Sequence, residues 1–261
     1  FRRDDPKKPV PITQFPIASQ TIQDLMPTLM VKLKTSSTLR QRLFQVEFLS
    51  TLSGEMLVTL VYHRKLDEQW ETEAQTLAQD MAINLIGRSR KQKVVINSSY
   101  VTEVLTVFGT PFSFRQYEQA FTQPNAKVNT KMIEWACNCA DGLKGDLLEL
   151  YCGNGNFTLP LAGKFDQLIA TELSKTSIRA ARENLAANNI DNVEMIRLSA
   201  EEVTEAMAGK REFRRLATLP KALADYDLNS VFVDPPRAGL DEHTEKMVTG
   251  FESIIYISCN P

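Results

Sequence analysis

Much that would mark a secreted, metal-bound or membrane protein is missing from this sequence. Its four cysteines, Cys137, Cys139, Cys152 and Cys259, include no C-x2-C unit matched by a second one, which removes the usual metal spacings. Their scatter fits reduced thiols in the cytoplasm rather than a disulfide framework. Apolar runs are far too short to cross a bilayer and no secretory leader precedes them. Internal repeats and low-complexity tracts are lacking. A surplus of positive charge is lacking too: 30 Lys/Arg meet 32 Asp/Glu, a net of −2, so the chain as a whole does not announce a nucleic-acid binder. Both ends read as cut, since the chain opens on Phe1 and closes inside Ser258-Cys259-Asn260-Pro261.

What is present is ordinary in bulk and uneven in distribution. With 261 residues, 43% apolar and 24% charged, the chain can bury a large core and is expected to hold two domains, residues 1–118 and 119–261. The first carries 15 Lys/Arg against 12 Asp/Glu, a net of +3; the second carries 15 against 20, a net of −5. Basic clusters at Arg2-Arg3, Lys7-Lys8, Arg88-x-Arg90-Lys91-x-Lys93 and Arg211-x-x-Arg214-Arg215 are either polyanion contacts or solvated faces.

Periodicity gives the elements. Residues 1–14 read as an extended lead-in. Ile22, Leu25, Met26, Leu29, Met30 and Leu33 recur at helical spacing, with Ser19 or Thr21 as cap and Pro27 as a kink or a first turn. Alternation on either side of Ser53-Gly54 predicts a β-hairpin. A helix over Asp67–Met81 runs into 82–87 with little turn chemistry, as if residues were missing near 81–83. With strands at 83–87, 93–97 and 112–117, this half is an α+β module on an antiparallel sheet. Pro124 then opens a helix to about Ala140, with Met132, Trp135, Ala136 and Cys139 as its apolar stripe. Beyond it, strands alternate with helices: a doubly wound parallel sheet.

The second half is organised around residues 146–157, an apolar strand that stops at Gly153-Asn154-Gly155 and leads into a helix beginning near Phe157. Such a turn suits close approach by a ligand. Nineteen residues after Gly153, a second strand ends in Glu172, where a carboxylate can accept both ribose hydroxyls. The alternative is a tight strand–helix turn with no ligand. Thr158 stands at the third glycine place of a dinucleotide motif; S-adenosylmethionine, with a ribose and no phosphate, fits better than NAD. The strand ends Tyr151–Asn156, Glu172, Asp234–Arg237 and Ser258–Pro261 should meet in one crevice. Asp234, stiffened by Pro235 and Pro236, suits hydrogen bonding to a base or cofactor, and Arg237 suits a developing oxyanion. Cys259, in a Ser-Cys-Asn-Pro turn after a strand, reads alone as a packed small hydrophobe; in company with Asp234–Arg237 it reads as a presented nucleophile. Cys137 and Cys139 read as packing, and Cys152 as filler beside the backbone.

Together, Glu149-Leu-Tyr-Cys-Gly-Asn-Gly-Asn156, Phe121-Thr-Gln-Pro-Asn125, Val233-Asp-Pro-Pro-Arg237 and Ile257-Ser-Cys-Asn-Pro261 resemble the RNA 5-methyluridine methyltransferases, over nearly the whole chain and with most likeness to the bacterial tRNA branch. The resemblance implies a class I (Rossmann-like) methyltransferase domain behind the N-terminal α+β domain; a cytoplasmic monomer without metal is expected. It implies that Gln123, Tyr151, Gly153, Asn156, Glu172 and Asp234 hold S-adenosylmethionine and that Cys259 attacks carbon 6 of a T-arm uridine in tRNA, or of a related stable RNA. Ribosomal RNA as substrate, methylation of an amino nitrogen held by the Asp-Pro-Pro loop, and a non-catalytic RNA-binding or folding role are the rival readings. In this family the general base is a glutamate beyond the position of Pro261, so the chain as given is expected not to turn over.

Overall fold

A computed structural model describes residues 12–259; the Arg2-Arg3 and Lys7-Lys8 clusters and Asn260-Pro261 lie outside the described residues. By compactness the chain divides into Phe1–Val101 and Thr102–Pro261.

In the first unit the Ser19 hydroxyl accepts the Ile22 N–H and starts α1 (Gln20–Thr35), with Pro27 inside the helix rather than in its first turn. A short α2 (Ser37–Arg40) follows. Strands β1 (Leu43–Ser50) and β2 (Met56–Tyr62) pair antiparallel around the Ser53-Gly54 turn. Asp67 caps α3 (Glu68–Asp80), which carries the chain back along the sheet to β3 (Asn84–Ser89). A helical crossover of this kind returns a strand in the same direction, and β2 and β3 are indeed parallel, whereas β4 (Gln92–Ile96) closes an antiparallel hairpin on β3. The sheet, in order β1-β2-β3-β4, is therefore mixed, which corrects the expectation of a purely antiparallel one. The sparse junction at 81–83 is closed by Ala82 in the left-handed region (φ 51°), with the Ile83 N–H donating to the Ala78 carbonyl. This is a helix stop that usually recruits glycine.

Trp70, Ala74 and Leu77 of α3 and Leu29 and Leu33 of α1 form one core with Val58, Leu60 and Leu85 of the sheet. Gly87 is the tightest point in this unit: a Cβ there would lie 2.2 Å from one ring carbon of Trp70 and 2.7 Å from Leu66 Cδ1. Trp70 is fully buried and cannot withdraw. Gly87→Val is expected to cost about 3 kcal/mol through overpacking, read as a lower urea midpoint at unchanged slope. An unchanged midpoint would show that the strand yields.

The second unit opens with a two-stranded hairpin, β5 (Tyr100–Val107) and β6 (Thr110–Tyr117); the sequence reading had no strand at β5. The boundary expected at 118 falls inside this unit because the hairpin is bonded to α6 (Lys175–Ala187). The Ser113 and Arg115 N–H groups donate to the Asn188 and Asn184 side chains, and Arg115 and Tyr117 both bind Glu183. Asn125 then caps α4 (Ala126–Cys139), with Pro124 just outside it. Its buried face is Asn129, Ile133, Ala136 and Cys137, while Trp135 is 49% exposed and Cys139 is exposed, so the expected stripe is rotated and Cys139 is not a packing residue.

Strands β7 (Asp146–Leu150), β8 (Leu168–Thr171), β9 (Val193–Ile196), β10 (Leu228–Val233) and β11 (Ser253–Tyr256) form a fully parallel sheet in order β11-β10-β7-β8-β9. The helix after β7 is brief: α5 (Thr158–Leu161) and one 3-10 turn. One face of the sheet packs on α4, α5 and α6 through Ile133, Leu159, Ile178 and Leu185. The other packs on α7 (Ala200–Met207) and α8 (Glu242–Val248) through Ala200, Val203 and Val248. Helices on both faces make the sheet doubly wound, as expected. Connections leave β7 towards β9 on one side and β10 towards β11 on the other, so the switch point lies between β7 and β10. The segment 209–226 holds two further 3-10 turns. Much of its positive charge is already met: Arg215 pairs with Glu202, Arg211 with Glu205 and Lys221 with Asp146.

Candidate active site

Leaving β7, the chain turns off the sheet at Tyr151 (φ 60°), Gly153 (φ 58°) and Gly155 (φ 88°). The two glycines serve different ends. A Cβ on Gly153 would meet nothing within 4 Å, so only its backbone conformation matters; one on Gly155 would lie 2.6 Å from Leu159 Cδ1 and 3.7 Å from Ala181 Cβ. Gly155 thus lets the turn lie against α5 and α6. Asn156 is locked by two amide hydrogen bonds with buried Asn129 of α4, at 2.7 and 2.9 Å. Glu172, just past β8, accepts the Gly153 N–H at 3.2 Å and the Ser174 N–H at 2.6 Å. It therefore braces the Gly turn from the neighbouring strand.

Across the switch point, Asp234 follows β10 and accepts from Gln123 Nε2 at 3.3 Å. Burial pushes its carboxyl up to about 6 against that hydrogen bond. Tyr151, half-buried, has its phenol raised to about 12 by burial, helped by the nearby charges of Glu201 and Asp241. The next strand runs in step: Val233 is beside Tyr256, and the Ile257 N–H donates to the Val233 carbonyl at 3.0 Å. Asp234–Arg237 and Ser258–Cys259 accordingly leave adjacent parallel strands at the same end of the sheet as the Gly turn. Cys259 and Arg237 are both exposed there. Cys152 is buried, and its thiol is raised well above the ordinary range by burial, with Glu149 and Glu172 adding to the effect. That leaves it without the makings of a nucleophile.

Two features escaped the sequence reading. Glu149, inside the run taken as apolar, is 0% exposed; neither of its carboxyl oxygens has a hydrogen-bond partner. The signal was a single carboxylate in mid-strand between Leu148 and Leu150. In the first unit, Phe44 (63% exposed) and His63 stack with ring centroids 4.3 Å apart and an 18° interplanar angle. A groove of about 760 Å³ beside them is lined by His63, Arg64, Lys65, Arg88 and Arg90. The Arg88–Lys93 charge run pointed to this surface; the aromatic pair, split between two strands, did not show in the sequence.

Among the described residues, no group of three or more His, Cys, Asp or Glu could hold a metal ion, and no helix is long and apolar enough to cross a membrane.

A doubly wound parallel sheet with a Gly turn, an acidic neighbouring strand end and an Asp-Pro-Pro loop at its switch point defines a class I methyltransferase. A solved structure, the Pyrococcus abyssi tRNA (uracil-54, C5)-methyltransferase in complex with S-adenosyl-L-homocysteine, shares the fold with a TM-score of 0.70 at 19% identity, over 97% of this chain and 61% of that one. The family model for tRNA (Uracil-5-)-methyltransferase matches residues 1–261, and the chain belongs to that family. Relatives called tRNA/tmRNA (uracil-C(5))-methyltransferase include one from Acinetobacter baumannii (strain ACICU), 56% identical over 262 residues, covering 100% of this chain and 73% of the relative. Another, from Neisseria meningitidis serogroup C (strain 053442), is 58% identical over 248 residues, covering 95% and 68%.

Proposed function

We propose that the protein transfers a methyl group from S-adenosylmethionine to carbon 5 of a uridine in the T-arm of tRNA, with Cys259 as nucleophile. The observation that carries this reading is the register that sends Asp234 and Cys259 out of neighbouring strands beside the Gly153–Asn156 turn. The tRNA/tmRNA names of the relatives support tRNA and a tRNA-like stable RNA as substrates.

The residues fit the donor. Glu172 suits the ribose hydroxyls, Asp234 and Gln123 suit the base edge, and Tyr151, Gly153 and Asn156 shape the floor between them. An unpartnered buried carboxyl, Glu149, lies in the strand that leads into this turn. When bound, the donor supplies an electrophilic methyl group on a sulfonium. Carbon 5 of uracil is too weak a nucleophile to take it unaided. Adding the Cys259 thiolate to carbon 6 makes an enolate whose carbon 5 can, and exposed Arg237 is suited to meet the enolate oxygen. Loss of the carbon-5 proton to a base then expels the sulfur. The uridine must leave its stack first, at about a few kcal/mol. Stacking on Phe44 and His63, with cations around the groove, is the kind of contact that holds unstacked RNA.

Phe44→Ala combined with His63→Ala is expected to raise the half-saturating concentration of tRNA about tenfold to a hundredfold, with donor affinity unchanged. Single-turnover kinetics against T-arm RNA, with the methylated nucleoside identified by mass spectrometry, checks both claims. An unchanged half-saturating concentration would remove the groove from the RNA surface, and a product other than 5-methyluridine would sink the reaction assignment.

A further inference from the structure

We infer that Glu149 holds a proton in the absence of cofactor and gives it up when the positively charged methyl donor binds, so that donor binding is coupled to proton release. The inference rests on the cofactor reading above and gives Glu149 a role that reading does not assign.

Glu149 lies in β7, the central strand, flanked by Phe232 and Ala170 on the adjoining strands. Alternation puts it with Leu147 on the face covered by α4, α5 and α6, while Leu148 and Leu150 pack on the opposite face. Both carboxyl oxygens are fully buried without a partner, and so is the Thr158 hydroxyl of α5 beside them. An ionised carboxylate in such a place, with only the neutral Thr158 hydroxyl beside it and no cation, carries a large desolvation cost, and the group stays neutral instead. Burial raises it to about 8, opposed by the Thr158 hydroxyl and reinforced by the charge of Asp234. The titratable groups that interact with it are Asp234 and Cys152. Among them there is no positive charge to balance an anion. A sulfonium donor with its ammonium group would bring that charge to the strand end and reverse the preference, since an opposite charge nearby favours the ionised carboxylate. The proton leaves to solvent, and the buried carboxylate becomes the counter-charge of the donor.

Calorimetric titration of the protein with S-adenosylmethionine at pH 7, in phosphate and in Tris, reads the number of protons exchanged. Wild type is expected to release about one proton, with affinity rising up to about tenfold per pH unit from 6.5 to 8 and levelling above. Asp234, raised to about 6, is already mostly ionised in that range. Glu149→Gln keeps the size and neutrality of the protonated group; its release should fall to near zero and its affinity profile should flatten. It should also remove a pH dependence of stability. The folded carboxyl keeps its proton to about pH 8, whereas the unfolded one loses it near the ordinary 4.5, so wild-type stability declines between those limits. A merely structural role would not move the proton count. Donor binding by wild type without proton release, or equal release by Glu149→Gln, overturns the inference and leaves the cofactor reading intact. No binding by folded wild type overturns both.

Discussion

Cys259→Ala is expected to lower methyl transfer by roughly 10⁴-fold or more, the scale seen when the nucleophile of a covalent mechanism is removed. Donor affinity and thermal midpoint should stay at the wild-type level. The second half of this expectation follows from the place of the residue: Cys259 is exposed, past the end of β11, so removing its sulfur opens no cavity and breaks no core contact. A stoichiometric assay with labelled donor, run beside donor-binding calorimetry, separates lost chemistry from lost binding. If Cys259→Ala retained even a tenth of wild-type methyl transfer in a single turnover, the reaction would belong with methylations that need no thiol, in which an Asp-Pro-Pro loop holds an amino nitrogen.

The second large effect lies in the Gly turn. Gly155→Val should abolish measurable donor binding and destabilise the protein by about 2–5 kcal/mol, by adding left-handed backbone strain to overpacking. Gly155 has φ 88°, and the new Cβ would begin 2.6 Å from Leu159 Cδ1, with Ala181 of α6 behind it. Relief would require Leu159, 1% exposed, to repack inside the core or α5 to move, and α6 behind it is tied to the β5–β6 hairpin through Asn184 and Asn188. Gly153→Ala is the matched control. Its φ is 58° with open space around the Cβ position, so it should pay only the backbone term, about 1 kcal/mol. Denaturant midpoints for the two variants, with donor titrations on each, distinguish packing from conformation as the reason for the glycines. Equal losses at both positions would contradict the packing account.

The parts of the site legible in the sequence were those that sit at strand ends. An apolar run followed by Gly-x-Gly, by Glu172 or by Asp-Pro-Pro declares both the strand and the place where it stops, and parallel pairing then brings the ends together without further information. Hydrogen bonding of the Ile257 N–H to the Val233 carbonyl is this rule in a single bond. Features that depend on pairing across the sheet or between elements were not legible. Phe44 and His63 lie nineteen residues apart in sequence and meet only because β1 and β2 are antiparallel. The direction of β3 depended on whether α3 crossed over or merely covered the sheet, which amphipathicity does not decide. Likewise, the sequence offers a stripe on α4 through Met132, Trp135, Ala136 and Cys139, although Ile133 and Cys137 face the core. Ala82 hid a helix stop because its left-handed turn is made without glycine. Glu149 was lost inside a hydrophobic average, where a single carboxylate barely shifts the mean yet dominates the local electrostatics.

The thiol at the end of β11 carries the central claim, and trapping it on substrate tests that claim most directly. T-arm RNA with 5-fluorouridine at the target position has no carbon-5 proton to lose, so the sulfur cannot be expelled after methyl transfer. Intact-mass spectrometry of the protein incubated with this RNA and S-adenosylmethionine should reveal a species equal to protein plus RNA plus one methyl group less the thiol proton, and peptide mapping should locate the bond at Cys259. A mixture containing only free protein and free RNA, or an adduct mapped to any other residue, would contradict the account.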